Sequence, residues 1–390
     1  MRSLYIHVPF CFHKCHYCDF YSIVDTRVRQ REFLDRLVRE LRAISPWVVG
    51  EPLETIFVGG GTPSLLAVEL WQEFLIELDR LFDLSRVRSG AGEFTVECNP
   101  ETVTPELLAV LASGGVGRVS VGAQSFDPRH LKTLERWHDP QNVERAIDLA
   151  RQAGIGRQSI DLIYGIPGQS VEDWQRDLER AIGLGTEHVS CYCLTYEPNT
   201  AMTRRMQRGE FEPAPDETEA AMFRLTAEML GRAGLTRYEI SNYARQGAHC
   251  AHNMNYWRNG NWLAAGPSAS AHVHGYRWKN VQRLGDWLEQ SDDGFATVTD
   301  LEKPDRARSL CERMMLGIRL DEGLSAAEML EAASAIDLHA PARLLAEVEA
   351  YAAVGDLETT GGVWRLSEEG QLRADAVASD LMAAISTQQV

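Results

Sequence analysis

Short apolar strings alternate with helical patterns through the first half of the chain. Between the strings, apolar residues recur at helical spacing, as they do from Val143 to Ala150 and from Val171 to Ile182. Each string is bounded by Gly, Pro or Asn, which is typical of buried strands in a parallel sheet. The six strings are Leu4–Val8, Thr55–Val58, Phe94–Cys98, Arg118–Val121, Ser159–Tyr164 and His188–Leu194. Six strand–helix units predict an α/β fold built on a partial (β/α)6, TIM-like open barrel, since two further units are not found before residue 230.

The pattern changes after the last of these strings, and we predict three parts. Residues 1–206 form the barrel, residues 207–299 a bridging region, and residues 300–390 a smaller α+β domain. Helices followed by a hairpin near residues 357–366 indicate a winged-helix-like module at the C-terminus.

The bridging region is the least regular part of the sequence. Gln207–Asp216 is rich in Pro, Gly and acidic residues and predicts a linker. A helix is expected from Glu217 to Ala233, followed by an irregular, aromatic-rich stretch from Tyr238 to Trp278.

The net charge of the chain narrows the classes of partner that it could bind. Lysine and arginine total 39 against 56 aspartates and glutamates, so the net charge is −17 and a nucleic-acid partner is not expected. Residues 301–390 carry 8 basic and 16 acidic side chains, net −8, which argues against DNA binding by the winged-helix-like module. No apolar run reaches the roughly 18 residues of a membrane span, and strand-like sequence from Leu4 leaves no room for a signal peptide. We therefore expect a cytoplasmic protein.

Three of the eight cysteines, Cys11, Cys15 and Cys18, fall directly after the first predicted strand. Thiolates suit Zn²⁺ or an iron–sulfur cluster. A structural zinc site needs a fourth ligand, for which the nearby candidates are His7, His13 and His16. Three cysteines holding a [4Fe–4S] cube would instead leave one iron open at the mouth of the barrel, where barrel enzymes place their chemistry. The spacing favours the cluster and leaves zinc as the alternative.

Polar residues also interrupt the ends of later predicted strands. Gly59-Gly60-Gly61-Thr62-Pro63 follows the second strand, and Glu97, Gln124 and Asp161 lie at the ends of the third, fourth and fifth. Each one alone could be a tight turn or a satisfied core residue. Together, at one end of a barrel, they predict a cofactor site.

These motifs resemble a known family. Tyr5-Ile-His-Val-Pro-Phe-Cys11, the CxxxCxxC loop, GGGTP and Asp161-Leu-Ile-Tyr-Gly-Ile-Pro-Gly are similar to the radical S-adenosylmethionine (SAM) superfamily. The branch is the one that contains oxygen-independent coproporphyrinogen III oxidase (HemN) and the haem chaperones of the HemW type, and the resemblance covers nearly the whole chain.

The resemblance implies cofactors and their residues. Cys11, Cys15 and Cys18 would ligate a [4Fe–4S] cluster, and SAM would chelate the open iron through its amino and carboxylate groups. Reductive cleavage of SAM to a 5′-deoxyadenosyl radical is the chemistry of the superfamily, with the protein supplying position and electrostatics. The residues that would line SAM are Tyr5, Tyr17, Gly60, Gly61, Thr62, Glu97, Gln124, Arg136 and Asp161, of which Arg136 matches by offset more than by motif.

Two features resemble the HemW side of the branch. Phe20 stands where the oxidase motif CxxxCxxCxC has its fourth cysteine, and the oxidase's N-terminal extension has no counterpart before Tyr5. The segment from His252 to Trp257 also fits the HNxxYW signature of HemW-type proteins. An imidazole beside aromatic rings can ligate haem iron, so the resemblance implies a haem site at His252, Asn253, Tyr256 and Trp257. Weaker candidates for axial ligand are His249, Cys250, His272 and His274.

The expected function is a haem chaperone that keeps a [4Fe–4S] and SAM site and delivers haem to apoproteins such as respiratory enzymes. Peripheral membrane association would then arise through those partners. The alternative is a radical SAM enzyme that decarboxylates coproporphyrinogen III or carries out a HemN-like methyl or cyclopropyl transfer; no catalytic residue is assigned for it. The third hypothesis is a protein whose cysteines hold a structural zinc ion, or whose former cofactor site now has only a structural role.

Overall fold

Strands and helices alternate through the first half of the chain, in a computed structural model that describes residues 2–24, 28–48, 50–289 and 291–385. The elements are β1 (Ser3–Val8), β2 (Phe10–Cys11), β3 (Ile23–Val24), α1 (Gln30–Ile44), β4 (Thr55–Gly60), α2 (Val68–Leu81), α3 (Ser85–Arg88), β5 (Glu93–Cys98), α4 (Pro105–Ser113), β6 (Arg118–Gln124), α5 (Pro128–Thr133), α6 (Gln141–Gln152), β7 (Arg157–Tyr164), α7 (Val171–Gly183) and β8 (His188–Cys193). Short 3₁₀ turns cover Ser45–Val48 and Pro63–Leu65.

The second half is more varied. Its elements are α8 (Ala201–Gln207), α9 (Asp216–Arg232), β9 (Thr236–Glu239), β10 (Asn242–Ala244), α10 (Ala251–Trp257), β11 (Leu263–Ala265), β12 (Ser270–Val273), β13 (Tyr276–Asn280), α11 (Leu284–Leu288), β14 (Val298–Glu302), α12 (Arg306–Gly317), β15 (Leu324–Ser325), α13 (Ala326–Ser334), α14 (Ala340–Val354), β16 (Leu357–Glu358), β17 (Val363–Leu366), α15 (Glu368–Gln371) and α16 (Ala374–Ile385). A 3₁₀ turn, Thr360–Gly362, joins β16 to β17. Within the described ranges, no helix has the length and apolarity that crossing a bilayer requires.

One nine-stranded sheet organises the molecule, in the order β11-β1-β4-β5-β6-β7-β8-β10-β9. The six central strands are the six predicted ones, all parallel to their neighbours, so the partial (β/α)6 barrel is confirmed. The sheet is extended by β11, parallel to β1, and by β10 and β9, antiparallel beyond β8. The expectation of an irregular stretch from Tyr238 to Trp278 was therefore wrong. Its strands have only three to five residues, too few to show a clear alternation of polar and apolar positions.

The barrel strands separate an apolar face from a polar one. In β1 and β5, Leu4, Ile6, Phe94 and Val96 are fully buried in the core beneath the helices. The intervening positions are polar, because successive strand residues point to opposite faces. Polar residues on the inner face include Ser3, Tyr5, His7, Glu93, Thr95, Glu97, Ser120, Asp161 and Ser190. The interior is thus built to hold a polar ligand.

Helix starts follow the predicted signals. The Thr104 side chain accepts a hydrogen bond from the Leu107 amide at the start of α4. Ser170 and Asp173 form a reciprocal capping box at the start of α7. These caps fix where α4 and α7 begin after their strands.

The C-terminal part has its own apolar core, drawn from residues 310–385. Its order is helix, strand, helix, helix and hairpin, and its sheet runs β15-β17-β16, in keeping with the expected α+β, winged-helix-like module. Ion pairs tie this module to the rest of the chain: Arg258 binds Glu322 through two hydrogen bonds, and Arg224 binds Glu369 likewise.

Candidate functional site

The cysteine loop begins at the C-terminal end of β1, at the open mouth of the barrel. Cys11 ends β2 and is buried, Cys15 is buried, and Cys18 is half-buried. The Thr62 hydroxyl donates to the sulfur of Cys11 over 3.6 Å. The Arg136 guanidinium donates to the sulfur of Cys15 over 3.8 Å. Hydrogen-bond donors from two distant segments therefore converge on the thiols.

The loop is anchored from outside by α8. The amide of Met202 donates to the His16 carbonyl oxygen at 2.9 Å, and the amide of His16 donates to the Leu134 carbonyl oxygen at 3.2 Å. Arg205 Nη1 donates to His16 Nδ1 at 3.2 Å and to the Thr133 carbonyl oxygen at 3.1 Å. Three of these bonds hold the loop at His16, and the fourth fixes Arg205 against the end of α5.

The thiols of the loop are expected to lose their protons when a metal group binds. Burial raises the pKa of the Cys11 thiol and raises that of Cys18 to about 11. Uncharged thiols are favoured by burial alone, and a bound metal centre would stabilise the thiolate forms.

The spacing of the sulfurs bears on the zinc alternative. Sulfurs that share one tetrahedral Zn²⁺ lie about 3.8 Å apart, given Zn–S bonds of about 2.3 Å. Among the described residues, only Asp127, His130 and Asp173 place three possible ligand atoms within 4.8 Å of one another. The sulfurs of Cys11, Cys15 and Cys18 do not form such a group, so their arrangement favours the larger [4Fe–4S] cube over a single zinc ion. The carboxylate of Asp173 is itself bonded by arginines, among them Arg129 at 3.0 Å, so that second group is an ion-pair cluster.

Two of the three histidines near the loop have bonded ring nitrogens. His7 Nε2 donates to the Tyr21 carbonyl oxygen at 2.8 Å, and its Nδ1 accepts from the Tyr5 hydroxyl at 3.1 Å. His16 Nδ1 accepts from Arg205. A fourth ligand from His7 or His16 is thus not supported. The ring of His13 stacks on Trp137 with centroids 4.9 Å apart, and its Nε2 has no hydrogen-bond partner among the described residues.

The glycine run is required by close backbone approaches. Gly60 has φ 106°, and a Cβ on it would lie 2.6 Å from the His7 ring. A Cβ on Gly61 would lie 2.6 Å from the Phe10 carbonyl oxygen. The Gly61 and Thr62 amides donate to the carbonyl oxygens of Val8 and Phe10 at 2.8 and 2.7 Å. The glycine run therefore joins β2, which ends at Cys11, to the inner wall of the barrel. There the Gly60 amide donates to the Glu97 carboxylate at 3.1 Å.

Two carboxyl groups define that inner wall. Burial, with a smaller contribution from the negative charge of Asp161, raises the pKa of Glu97 to about 7. Burial also raises the pKa of Asp161, although its carboxylate accepts from the Ser120 hydroxyl at 3.0 Å. Such a pair is suited to a ligand that brings positive charge, as the sulfonium and amino groups of SAM do.

The remaining residues expected at SAM lie around the same mouth. Arg136 Nη2 donates to the Gly122 carbonyl oxygen at 2.9 Å, beside Gln124, which has φ 63° at the end of β6. Burial and the neighbouring Cys15 raise the pKa of Tyr17. The structure brings Tyr17, Gln124 and Arg136 together with the cysteine loop. Tyr5 lies deeper, on the inner face of β1, bonded to His7 and with its ring 6.5 Å from that of His252.

The HNxxYW segment lies elsewhere, on α10 at the opposite end of the barrel. His252 is fully buried. Its Nδ1 lies 2.8 Å from the hydroxyl of Thr55, the first residue of β4, and its Nε2 lies 2.8 Å from the hydroxyl of Tyr256. The amide of His252 also donates to Glu93, the first residue of β5. Since strands begin at this end and the cysteines follow strand ends, α10 and the cysteine loop are separated by the barrel.

This geometry argues against the haem site expected at His252. Both ring nitrogens of His252 are bonded, and burial lowers its pKa to about 3. Iron ligation would break one of these bonds and open the core. Tyr256 packs its ring on His252 and Trp262, Trp257 packs against Met254 in an apolar cluster, and Asn253 is half-buried on the same helix. The signature thus holds α10 against the barrel rather than presenting an axial ligand.

Of the four weaker candidates for the axial haem ligand, two are buried and two are exposed. Cys250 is buried and donates to the Glu93 carboxylate at 3.3 Å, and His272 is buried with Nδ1 bonded to the Gly260 carbonyl oxygen. His249 and His274 are exposed, His249 with its ring stacked on Tyr238 at 4.4 Å. None of the four lies among the contacts of the cysteine loop described above.

An ion pair inside the barrel was missed by the sequence reasoning. Arg118 and Glu93 are both buried, 3.0 Å apart, on adjacent strands. Arg118 also donates to the carbonyl oxygens of Ala248 and His249, just before α10. An arginine in an apolar string, Arg118-Val-Ser-Val, was the signal that could have indicated it, because an arginine is almost never fully buried unless it is paired.

Comparisons with known proteins agree with this geometry. The model of the radical SAM superfamily matches residues 5–181. The protein named heme chaperone HemW of Mycobacterium tuberculosis (strain CDC 1551 / Oshkosh) is 35% identical over 386 residues, which cover 97% of this chain and 94% of that protein. The protein of the same name from Escherichia coli (strain K12) is 38% identical over 274 residues, 70% of each chain.

A solved structure shares the fold. Coproporphyrinogen III oxidase (HemN) from Escherichia coli, described as a radical SAM enzyme, superposes with a TM-score of 0.84 at 20% identity, over 97% of this chain and 89% of that one. The fold is therefore shared from the barrel to the C-terminal module, while the sequence similarity is to the proteins named HemW. This chain belongs to the HemW family of the radical SAM superfamily.

Proposed function

We propose that this chain is a haem chaperone, a [4Fe–4S] protein that binds haem and delivers it to haem-dependent apoproteins. The observation that carries the proposal is the similarity over almost the whole chain to proteins named heme chaperone HemW, together with Phe20 in the position of the oxidase's fourth cysteine. Respiratory enzymes in the cytoplasm or at its membrane are the acceptors we propose.

The residues proposed for the cluster are Cys11, Cys15 and Cys18. Arg136 and Thr62 donate to two of the sulfurs, and such donors stabilise thiolate charge. When bound, the cluster and SAM supply one-electron chemistry at the open iron.

The residues proposed for SAM surround the same mouth. Gly60, Gly61 and Thr62 would meet its methionyl end, where a side chain on either glycine would collide with β1 or β2. Glu97 and Asp161 would face its positive charge from the inner wall. Tyr5, Tyr17, Gln124 and Arg136 complete the proposed set.

A direct test combines cluster assembly with haem transfer. The protein is reconstituted anaerobically, its iron and sulfide are measured, and haem is titrated by the Soret band. Haem-loaded protein is then mixed with an apo-cytochrome, and the spectrum of the acceptor is followed. Saturable binding and transfer are expected for a chaperone.

The matched variants are Cys15→Ala and Cys311→Ala. Cys15→Ala should lose the cluster, whereas Cys311, half-buried in the C-terminal module, should be dispensable. Normal iron and sulfide in Cys15→Ala would remove Cys15 as a ligand. A wild-type protein that fails to bind haem would contradict the chaperone proposal.

The two carboxyl groups of the inner wall support a second candidate function. Glu97 and Asp161 remain at the barrel mouth, as an active radical SAM enzyme would need them. Decarboxylation of coproporphyrinogen III, or methyl or cyclopropyl transfer to another substrate, would be the reaction. Formation of decarboxylated product by the reconstituted protein would favour this candidate.

A further inference from the structure

An open cavity of about 320 Å³ lies beside the cysteine loop, on the turn between α5 and α6. Its wall includes Leu131, Lys132, Arg136, Trp137 and His138. Arg136 also donates to the sulfur of Cys15, so the cavity and the proposed cluster site share this side chain. Ligand pockets range from about 300 to 1,000 Å³, so a large planar ligand seated here would keep an edge in solvent.

Trp137 is an exposed aromatic side chain in a fixed orientation. It is 63% exposed. Its Nε1 donates to the Glu135 carboxylate at 3.1 Å, and His13 stacks on it at 4.9 Å with 22° between the ring planes. An indole held on one side and open to solvent loses little conformational freedom when a flat apolar molecule stacks on it.

His138 supplies a nitrogen ligand to the same cavity. Both ring nitrogens are buried and without a hydrogen-bond partner among the described residues, so ligation would break no existing bond but requires the ring to turn towards the cavity. Burial, followed by the charge of Arg136, lowers the pKa of His138 to about 4. The imidazole is therefore neutral at physiological pH, the form that ligates haem iron.

The local charge suits an anionic occupant. The cavity is lined by Lys132 and Arg136 against the single acid Glu135, a net charge of +1 in a chain of net charge −17. Haem has a flat apolar ring, an iron that takes an imidazole and two carboxylates. The cavity offers one group of matching chemistry for each.

We propose that haem docks in this cavity, stacked on Trp137, with His138 as axial ligand and Lys132 facing a propionate. The inference rests on the proposed chaperone function and names the site at which it would operate. A shallow site suits a cargo that must leave for an acceptor. It also places haem beside the cysteine loop, at the end of the barrel away from His252.

The test titrates ferric haem chloride anaerobically into the full-length, cluster-loaded protein. His138→Ala should shift the Soret maximum and weaken binding at least tenfold. His138→Met should give a third spectrum, because a thioether replaces the imidazole. His339→Ala, which removes an exposed histidine in the C-terminal module, is the matched control and should match the wild type in both readouts.

Substitutions at two exposed positions, Trp137 and Lys132, test the site without disturbing the fold. Trp137→Ala should weaken binding several-fold and leave the Soret maximum in place. Lys132→Glu should weaken haem binding but not binding of haem dimethyl ester, which has no free carboxylates. Iron and sulfide contents are measured for every variant, and normal values show that the loop is intact.

The outcomes separate the two proposals. If the wild type binds haem and these variants keep its spectrum and affinity, the site is wrong while the chaperone function stands. If the wild type binds no haem, the chaperone function itself fails and the site falls with it.

Discussion

His252 Nδ1 lies 2.8 Å from the Thr55 hydroxyl, a bond that joins α10 to the first residue of β4. Replacing His252 by Ala leaves the Thr55 and Tyr256 hydroxyls without their partner in a buried site. Each lost partner costs about 1–3 kcal/mol, so we expect the free energy of unfolding to fall by about 2–6 kcal/mol. Urea denaturation checks this, with His339→Ala as control.

Haem affinity provides the complementary readout for the same variant. Because α10 is at the far end of the barrel from the cysteine loop, folded His252→Ala should bind haem as the wild type does. Loss of the Soret band with unchanged stability would support His252 as a haem ligand.

The Glu93–Arg118 pair should be among the most sensitive positions in the barrel. Breaking a buried pair by removing one partner costs about 3–5 kcal/mol, because the other charge stays buried. We expect Glu93→Ala to lower stability by this amount, measured by urea denaturation. The exposed pair Arg31–Glu73 offers a control: Glu73→Ala should change stability far less, because solvent screens an exposed ion pair. Equal effects would contradict a special role for the buried pair.

Gly60 should not tolerate a side chain. In Gly60→Ala the new Cβ would collide with the His7 ring, and the residue would keep a left-handed φ of 106°. We expect at least tenfold weaker SAM binding by isothermal titration of the cluster-loaded protein. Gly183→Ala is the control, since nothing lies within 4 Å of its Cβ position. Unchanged SAM affinity in Gly60→Ala would exclude the proposed contact.

Glu97 should make stability depend on pH when SAM is absent. Its pKa is raised from 4.5 to about 7, so the folded state binds a proton more tightly than the unfolded state. The resulting stabilisation is complete below pH 4.5 and is lost as pH rises to 7, by at most about 3 kcal/mol. In Glu97→Gln this fall should disappear, whereas the exposed Glu179→Gln should keep it. Stability curves at several pH values measure the difference, and parallel curves for wild type and Glu97→Gln would show that Glu97 is not responsible.

Much of the barrel could be predicted because its signals are local. The six strands, the Thr104 cap and the Ser170–Asp173 box are each specified within a few residues, and so is the cysteine loop. The sequence could not show where α10 packs. His252 is fixed by Thr55, which is 197 residues away, and a motif does not reveal which end of a barrel it will contact.

The same limit applies to His138. Its sequence neighbours identify a polar turn, whereas its unbonded nitrogens and its position beside Arg136 depend on the folded environment. Short β9, β10 and β11 were missed for a related reason: the pairing of β11 with β1, of β10 with β8 and of β9 with β10 defines them more than their own composition does.

With α10 set against the N-terminal end of the strands, the cysteine loop lies at the opposite, C-terminal end. Arg136 donates to the sulfur of Cys15 and also lines the cavity around Trp137 and His138. A change at the cluster site would therefore reach the neighbouring cavity through this one side chain, and a molecule bound in the cavity would act on the cluster site in return.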